Sequence, residues 1–362
     1  MLRDKKQGGE TLQTVTIQIR IFPPRPSILV DMGGEYIRTV NELTEQAERS
    51  GTFPKLTSKT VHANLPSAVK NQVMRDAKSL FQRFKKTKKR PLLQKRVYYV
   101  NNQNYTIWGN NISFPVILDG KVQRLVVPAL LSDRERDILS NGKLGLLRVV
   151  QKSAKWFVQI SIECPTKPAD GHEVMGVDLG LKVPAVVVTS SGKTTFCGNG
   201  RKNKFVRRKY RSYRRKLGKL KKLSAIRKQN DKERRFMKDQ NHKISRQIVN
   251  MAIQEKVSVI KLEKLTKIRK TTRTSRKNAK NLHQWSFYQL QMFIGYKAAL
   301  AGIQVVEVNP AYTSQTCPSC GQRNKAKDRT YQCDCGYTAH RDRVGAINIM
   351  RQPVADGNSL PA

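Results

Sequence analysis

The sequence predicts a multi-domain chain of the α/β plus β-barrel class. A small β-barrel interrupted by two helices is followed by a mixed sheet that carries a cysteine ribbon near its end. Three observations predict this. Short β-branched or alternating runs, separated by turn residues, fill residues 11–21 and 95–165. From about residue 172 onward, short strands alternate with helical patterns. Four cysteines cluster between Cys317 and Cys335.

Taken in order, TLQTVTIQIRI (11–21) reads as a strand, and Pro23, Pro24 and Pro26 then break the chain. Apolar residues at helical spacing (Tyr36, Ile37, Val40, Leu43, Ala47) predict a helix over 35–49. Val69, Val73, Ala77, Leu80, Phe81 and Phe84 predict a second over 65–85, running into KKTKKR. RVYYV, YTIW, ISFPVIL, RLVVPAL, LLRVV and KWFVQISIE follow as strands, with Asn, Gly and Asp-Gly turns between them. The barrel is therefore expected over 1–35 and 91–170, with a helical insertion at 36–90. Tyr98, Tyr99, Tyr105 and Trp108 are read first as barrel core and second as base-stacking residues.

Past His172, MGVDLGLKVPAVVVTSSGKTTFCG reads as three strands with tight turns. Between Arg201 and Lys238 there are 19 Lys or Arg and only two acids, Asp231 and Glu233. Val206, Tyr210, Tyr213, Leu217 and Leu220 recur every three or four residues, so this segment is expected to be one long amphipathic helix. A helix over 244–252 and the strand VSVIKLEKL (257–265) come next. Residues 266–283 read as a mobile basic loop. Then follow a helix over 286–300, the strand IQVVEV, the cysteine cluster, a last helix over 339–350 and a frayed tail at 351–362.

Composition narrows the function. The 362 residues carry 70 Lys plus Arg against 26 Asp plus Glu, a net charge of +44. Such a chain repels itself unless it meets a large polyanion, so nucleic acid is the expected partner. No run approaches the ~18 apolar residues of a spanning helix, and no membrane partner is expected. The polar N-terminus shows no apolar export segment, which implies a reducing cytoplasm, with the nucleoid. Cys164 and Cys197 then read as core thiols.

Acids are scarce, so their positions matter. Asp178 follows the apolar run VMGV, Glu263 closes VSVIKLE, and Asp342 starts the last helix, with Ala346 and Ile349 on its face. This order fits an RNase H-like sheet, in which acids come from the first strand, the fourth strand and a late helix. Any one of them alone can be a solvated strand end or a cap; the three together weigh against that. Three converging carboxylates repel one another, and two Mg²⁺ about 3.5–4 Å apart would relieve the repulsion and hydrolyse a phosphodiester.

CPSC (Cys317, Cys320) is followed after twelve residues by CDC (Cys333, Cys335). The first pair is a zinc knuckle, and four thiolates close a structural site with no open position for water. The second pair is one residue short of Cys-x-x-Cys, and His340 is a possible substitute ligand.

GVDLG around Asp178, KLEKL around Glu263, YTSQTCPSCG, and YQCDCGYTAHRDRVGAINI around Asp342 together resemble the TnpB family, transposon-encoded RNA-guided nucleases with a RuvC-type domain. The same core occurs in compact type V CRISPR effectors. The resemblance implies a wedge-type barrel with a short helical recognition lobe, a RuvC-like domain over 171–316 and 339–350, and a zinc-bearing target-binding ribbon over 317–338. It makes Asp178, Glu263 and Asp342 the magnesium-binding triad, and Cys317, Cys320, Cys333 and Cys335 the zinc ligands. Guide RNA and double- and single-stranded target DNA become the expected partners. Arg207, Arg208, Lys209, Arg211, Arg214, Arg215, Lys219 and Lys222 would lie along the nucleic-acid backbone. Val344-Gly345-Ala346 departs from the family's frequent Asn-Ala-Ala. A CRISPR effector of the same chemistry, a binding-only RNA-guided repressor and a strand-transfer transposase stay open, as does oligomeric state. The intact acids speak against binding only.

Overall fold

The computed structural model describes residues 6–7, 10–95, 97–152, 154–229, 231–264, 287–326 and 328–353. The chain divides into two compact units, Thr14–Cys164 and Met1–Gln13 with Pro165–Ala362. Among the described residues, no helix is long and apolar enough to cross a membrane.

A short strand, β1 (Lys6–Gln7), pairs with the start of β2 (Glu10–Ile21). The first unit then runs α1 (Pro26–Ser50), α2 (Ser67–Thr87), β3 (Val97–Val100), β4 (Thr106–Trp108), β5 (Asn111–Leu118) and β6 (Lys121–Leu130). It ends with α3 (Asp133–Asn141), β7 (Lys143–Lys152) and β8 (Lys155–Thr166). The strand order is β3-β7-β8-β2-β6-β5-β4, an open path. Among the described residues the expected β-barrel is a half-barrel, and its edge β3 is covered by α1 and α2. Asp119-Gly120 closes the β5–β6 hairpin with both residues at positive φ, as the Asp-Gly pair requires.

The prolines act differently from expectation. Pro26 starts α1, because a first-turn proline needs no N–H partner and has φ already set for a helix. The helix so gained buries Ile28, Leu29 and Met32. Tyr36 of α1 is fully buried, and its hydroxyl donates to Asp76 of α2 at 2.8 Å. Helix α3 has no sequence-stripe because it buries no residue. Its signal was the capping box Ser132-x-x-Glu135. Tyr98 and Tyr105 are core residues, while Trp108 is 48% exposed.

The second unit holds the sheet order β11-β10-β9-β12-β13. Here β9 (Glu173–Asp178), β10 (Ala185–Thr189) and β11 (Thr194–Cys197) form an antiparallel meander. Strands β12 (Val257–Glu263) and β13 (Gln304–Val308) run parallel to β9. The basic segment between β11 and β12 is not one helix. It forms α4 (Gly200–Lys219), α5 (Leu223–Lys228) and α6 (Lys232–Gln254). The breaks coincide with Lys221 and Asp231, whose φ of 51° and 54° is left-handed and cannot continue a helix. The expected basic loop at 266–283 lies within a stretch outside the described residues, and so does most of the tail. Helix α7 (Phe287–Leu300) leads to β13.

Helices α6 and α7 share one apolar core with Met175, Val177, Ile260 and Leu262. Cys197 is buried in that core, and Cys164 is half-buried; both are free thiols. After β13 come β14 (Thr330–Gln332), β15 (Thr338–His340) and α8 (Arg341–Arg351), whose Ala346 and Ile347 pack on Val186 and Val188. Helix α8 crosses β9 at Gly176, where a Cβ would collide with the Ala346 carbonyl oxygen and lie 2.7 Å from the Met350 nitrogen. Gly176→Ala is therefore expected to destabilise the chain by roughly 1–3 kcal/mol through overpacking, read as a lowered urea midpoint.

Candidate functional site

The parallel register sets Leu262 beside Val177, so the next residues, Glu263 and Asp178, end neighbouring strands at the same edge of the sheet. Helix α8 brings Asp342 to that edge. Gly180 lies beside its carboxylate, with a built Cβ 3.9 Å from Asp342 Oδ2. The helix approaches so closely that a Cβ on Gly345 would lie 2.8 Å from Asp178 Oδ2. A methyl group there would press on the carboxylate.

Asp178 and Glu263 are half-buried and Asp342 is 8% exposed. Burial, then the charges of Glu263 and Asp342, push the Asp178 carboxyl well above its ordinary range, while Arg341 and Arg329 oppose this. Burial also raises Glu263, against a hydrogen bond from the Thr313 hydroxyl to its Oε1 at 2.5 Å. Gln291 donates to the Glu263 backbone carbonyl at 2.9 Å. An acid raised by burial and by two neighbouring carboxylates suits a divalent cation, which would neutralise that charge.

Asp342 has a partner of its own. Arg329 Nη1 donates to both of its oxygens, at 2.7 and 2.6 Å. Among the described residues, the only group of three or more ligand side chains with donor atoms all within 4.8 Å of one another is the cysteine set. The three carboxylates thus share an edge and a field, and Asp342 is ion-paired within it. Nothing in the sequence marks Arg329 among so many cations. Thr313 lies in the motif YTSQTCPSCG, but only the fold shows its hydroxyl on Glu263.

The four cysteine sulfurs form a compact set, with Cys317 to Cys335 at 3.7 Å and Cys320 to Cys333 at 3.5 Å. Zinc–sulfur bonds of about 2.3 Å give tetrahedral sulfur separations of roughly 3.8 Å, so zinc fits. Burial pushes the Cys317 thiol up, but the amides of Cys320 and Ser319 outweigh it and bring it down to about 6. Each knuckle ends in a glycine at positive φ, Gly321 at 78° and Gly336 at 84°. The short Cys-x-Cys pair thus reaches the set without His340. That side chain instead accepts from the Asp342 amide and caps α8. Cys317, Tyr331 and Cys333 share a small core with Val344 of α8. Asn348 of α8 donates to the carbonyls of Thr313 and Thr316, both at 2.7 Å. The ribbon and the acid-bearing helix are one packed piece.

The eight expected backbone-contacting cations divide. Arg207 is half-buried, with its Nε on the Met237 sulfur at 3.4 Å, and burial lowers its pKa. Arg214 pairs with Glu233 at 2.7 Å. Arg208, Lys209, Arg211, Arg215, Lys219 and Lys222 are exposed.

The fold so described resembles that of compact Cas12f proteins. A solved structure described as the cryo-EM structure of the Cas12f1-sgRNA-target DNA complex matches with a TM-score of 0.67, covering 95% of this chain and 100% of that chain at 15% identity. The family model "Cas12f1-like, TNB domain" matches residues 287–349, and the OrfB_IS605 model, "Probable transposase", matches 157–269. The Cas12f1 endodeoxyribonuclease of Sulfoacidibacillus thermotolerans is 33% identical over 54% of this chain and 50% of its own length. Two Methanocaldococcus jannaschii proteins also match. The TnpB-like protein MJ0751 is 28% identical over 63% of this chain and 86% of its own length. The transposase-related MJ0856.1 is 34% identical over 19% of this chain and 88% of its own length. The chain belongs to the TnpB family. It spans 50% and 66% of the length of the first two Cas12f1 proteins it matches.

Proposed function

We propose that this chain is an RNA-guided DNA endonuclease, transposon-associated, which cuts target DNA beside a short flanking motif. The observation that carries the reading is the acid edge: Asp178 lies in the field of Glu263 and Asp342, at strand ends and a helix start. In this reading the second unit is a RuvC-type domain of the RNase H-like class. The ribbon over 317–338 contacts target nucleic acid, and the half-barrel with α1 and α2 reads the flanking motif. The TnpB-like relative, most of whose length this chain covers, supports the transposon setting.

Asp178, Glu263 and Asp342 are the residues that would hold Mg²⁺, and Cys317, Cys320, Cys333 and Cys335 those that would hold Zn²⁺. Divalent ions at the acids supply positive charge and Lewis acidity for phosphodiester hydrolysis. The chain's own residues do the rest. Thr313 fixes one Glu263 oxygen, Gly345 leaves room for Asp178, and Arg329 holds Asp342 in an ion pair. Arg341 adds positive potential where a phosphate would arrive. Guide pairing reads sequence, while the protein supplies charge and shape.

The test uses the chain purified with its co-expressed RNA. That RNA is sequenced, and a plasmid carrying its complement beside randomised flanks is the substrate. One defined RNA species and cutting in Mg²⁺ or Mn²⁺ are expected, with cutting stopped by EDTA. Cutting that persists in excess EDTA would exclude the divalent-ion site.

A further inference from the structure

The apolar stripe read from the sequence of α4 splits in three dimensions. Leu217 is buried, and Val206 and Tyr210 are half-buried. Phe205 and Tyr213, on and beside that stripe, are left uncovered, 60% and 51% exposed. They stand eight residues apart, so they share one face about 12 Å apart along the axis. Lys209 and Ser212 lie between them on that face and Lys216 follows, all exposed, and with Arg208 and the half-buried Tyr210 they make one continuous patch of the helix surface. Helix α4 contains no acid. Exposed rings with cations set between them are unsuited to an inward packing role. They match the pattern by which proteins hold unstacked bases: aromatic platforms for the rings and positive charge for the phosphates.

We propose that this outward face of α4 binds unpaired nucleotides of RNA, with bases stacked on Phe205 and Tyr213 and phosphates on Lys209 and Lys216. The inference rests on the RNA-guided reading and sharpens it. A cationic helix alone would track any phosphate backbone, whereas the two rings select bases free of a partner. RNA is the occupant because its loops and bulges present splayed bases. In the guided reading the target strand of DNA is paired with the guide, and the displaced DNA strand is the alternative occupant that the crosslinking arm separates. The ring spacing leaves room for ~3 nucleotides at ~3.4 Å each.

The experiment measures binding of the full chain to a labelled 12-nucleotide oligo(U) and to an RNA duplex of equal length, across a salt series. The Phe205→Ala/Tyr213→Ala variant is expected to lose about 10-fold or more for oligo(U), stay within about two-fold for the duplex, and keep the parent's salt slope. The Lys209→Gln/Lys216→Gln variant should weaken both ligands and make the slope shallower. Phe205→Trp should bind as the parent does. Ultraviolet crosslinking of the chain with its co-purified RNA should join an unpaired nucleotide to Phe205 or Tyr213. Oligo(U) binding unchanged in the double-alanine variant overturns the proposal. So does equal loss for duplex and single strand, or crosslinking of these rings to added DNA alone. Cleavage is not a readout, so loss of the nuclease reading through EDTA-resistant cutting leaves this result standing on its own.

Discussion

Asp178→Ala is expected to abolish cutting, by at least about 1000-fold, while RNA binding stays at the parent level. The size follows from position. Asp178 lies in the field of both other acids, and its loss removes a ligand from any ion they share, at a cost of several kcal/mol in the transition state. The cations of α4 lie elsewhere in the chain and keep their charge. Asp178→Asn separates charge from shape, and it carries a second expectation. The folded carboxyl holds its proton to higher pH than an unfolded aspartate near 3.9, so folding here favours the protonated form. Its contribution to stability is complete below that unfolded value and is lost as pH rises through the folded one. Without divalent ions, the parent should therefore lose stability as pH rises above about 4, and Asp178→Asn should gain about a few degrees in Tm at the high-pH end of that loss. Magnesium should raise the parent's Tm and leave the asparagine variant's nearly unchanged. Thermal melts across pH, with and without Mg²⁺, check both; parental cutting by the alanine variant would remove Asp178 from the site.

The acids were legible because they are rare and because strand ends are legible. In a chain of 70 cations, an aspartate closing VMGV or a glutamate closing VSVIKLE stands out. The same excess of cations hid Arg329, whose role depends on a hairpin bringing it back to Asp342. Periodicity also misread α4. Five apolar residues at helical spacing imply one inward stripe, yet only Val206, Tyr210 and Leu217 are covered, and Tyr213 and Leu220 stay exposed. The break at Lys221 followed no proline and no strong turn pair. Pro26 was misread for a local reason: proline stops a helix from inside but starts one from its first turn.

Cys317→Ser is expected to lower zinc from about one per chain to near zero and to cut cleavage by about 100-fold or more, although no cysteine touches the acids. The path runs through the ribbon's packing. Its apolar core is small, Tyr331 with Cys317, Cys333 and Val344, so metal binding must supply much of its folding free energy. Once the ribbon loosens, three contacts loosen together. Arg329 leaves Asp342, Thr313 leaves Glu263, and the carbonyls of Thr313 and Thr316 leave Asn348 of α8. The helix that carries Asp342 then keeps its contacts with Val186 and Val188 but loses its hold on the far side. The five-stranded sheet has its own core on α6 and α7, so far-ultraviolet circular dichroism should change little, and RNA binding by α4 should hold. Zinc measured by mass spectrometry, cleavage rate and RNA affinity on one preparation separate these effects. Full cutting by a zinc-free, folded variant would mean that the acids are set by the sheet and α8 alone.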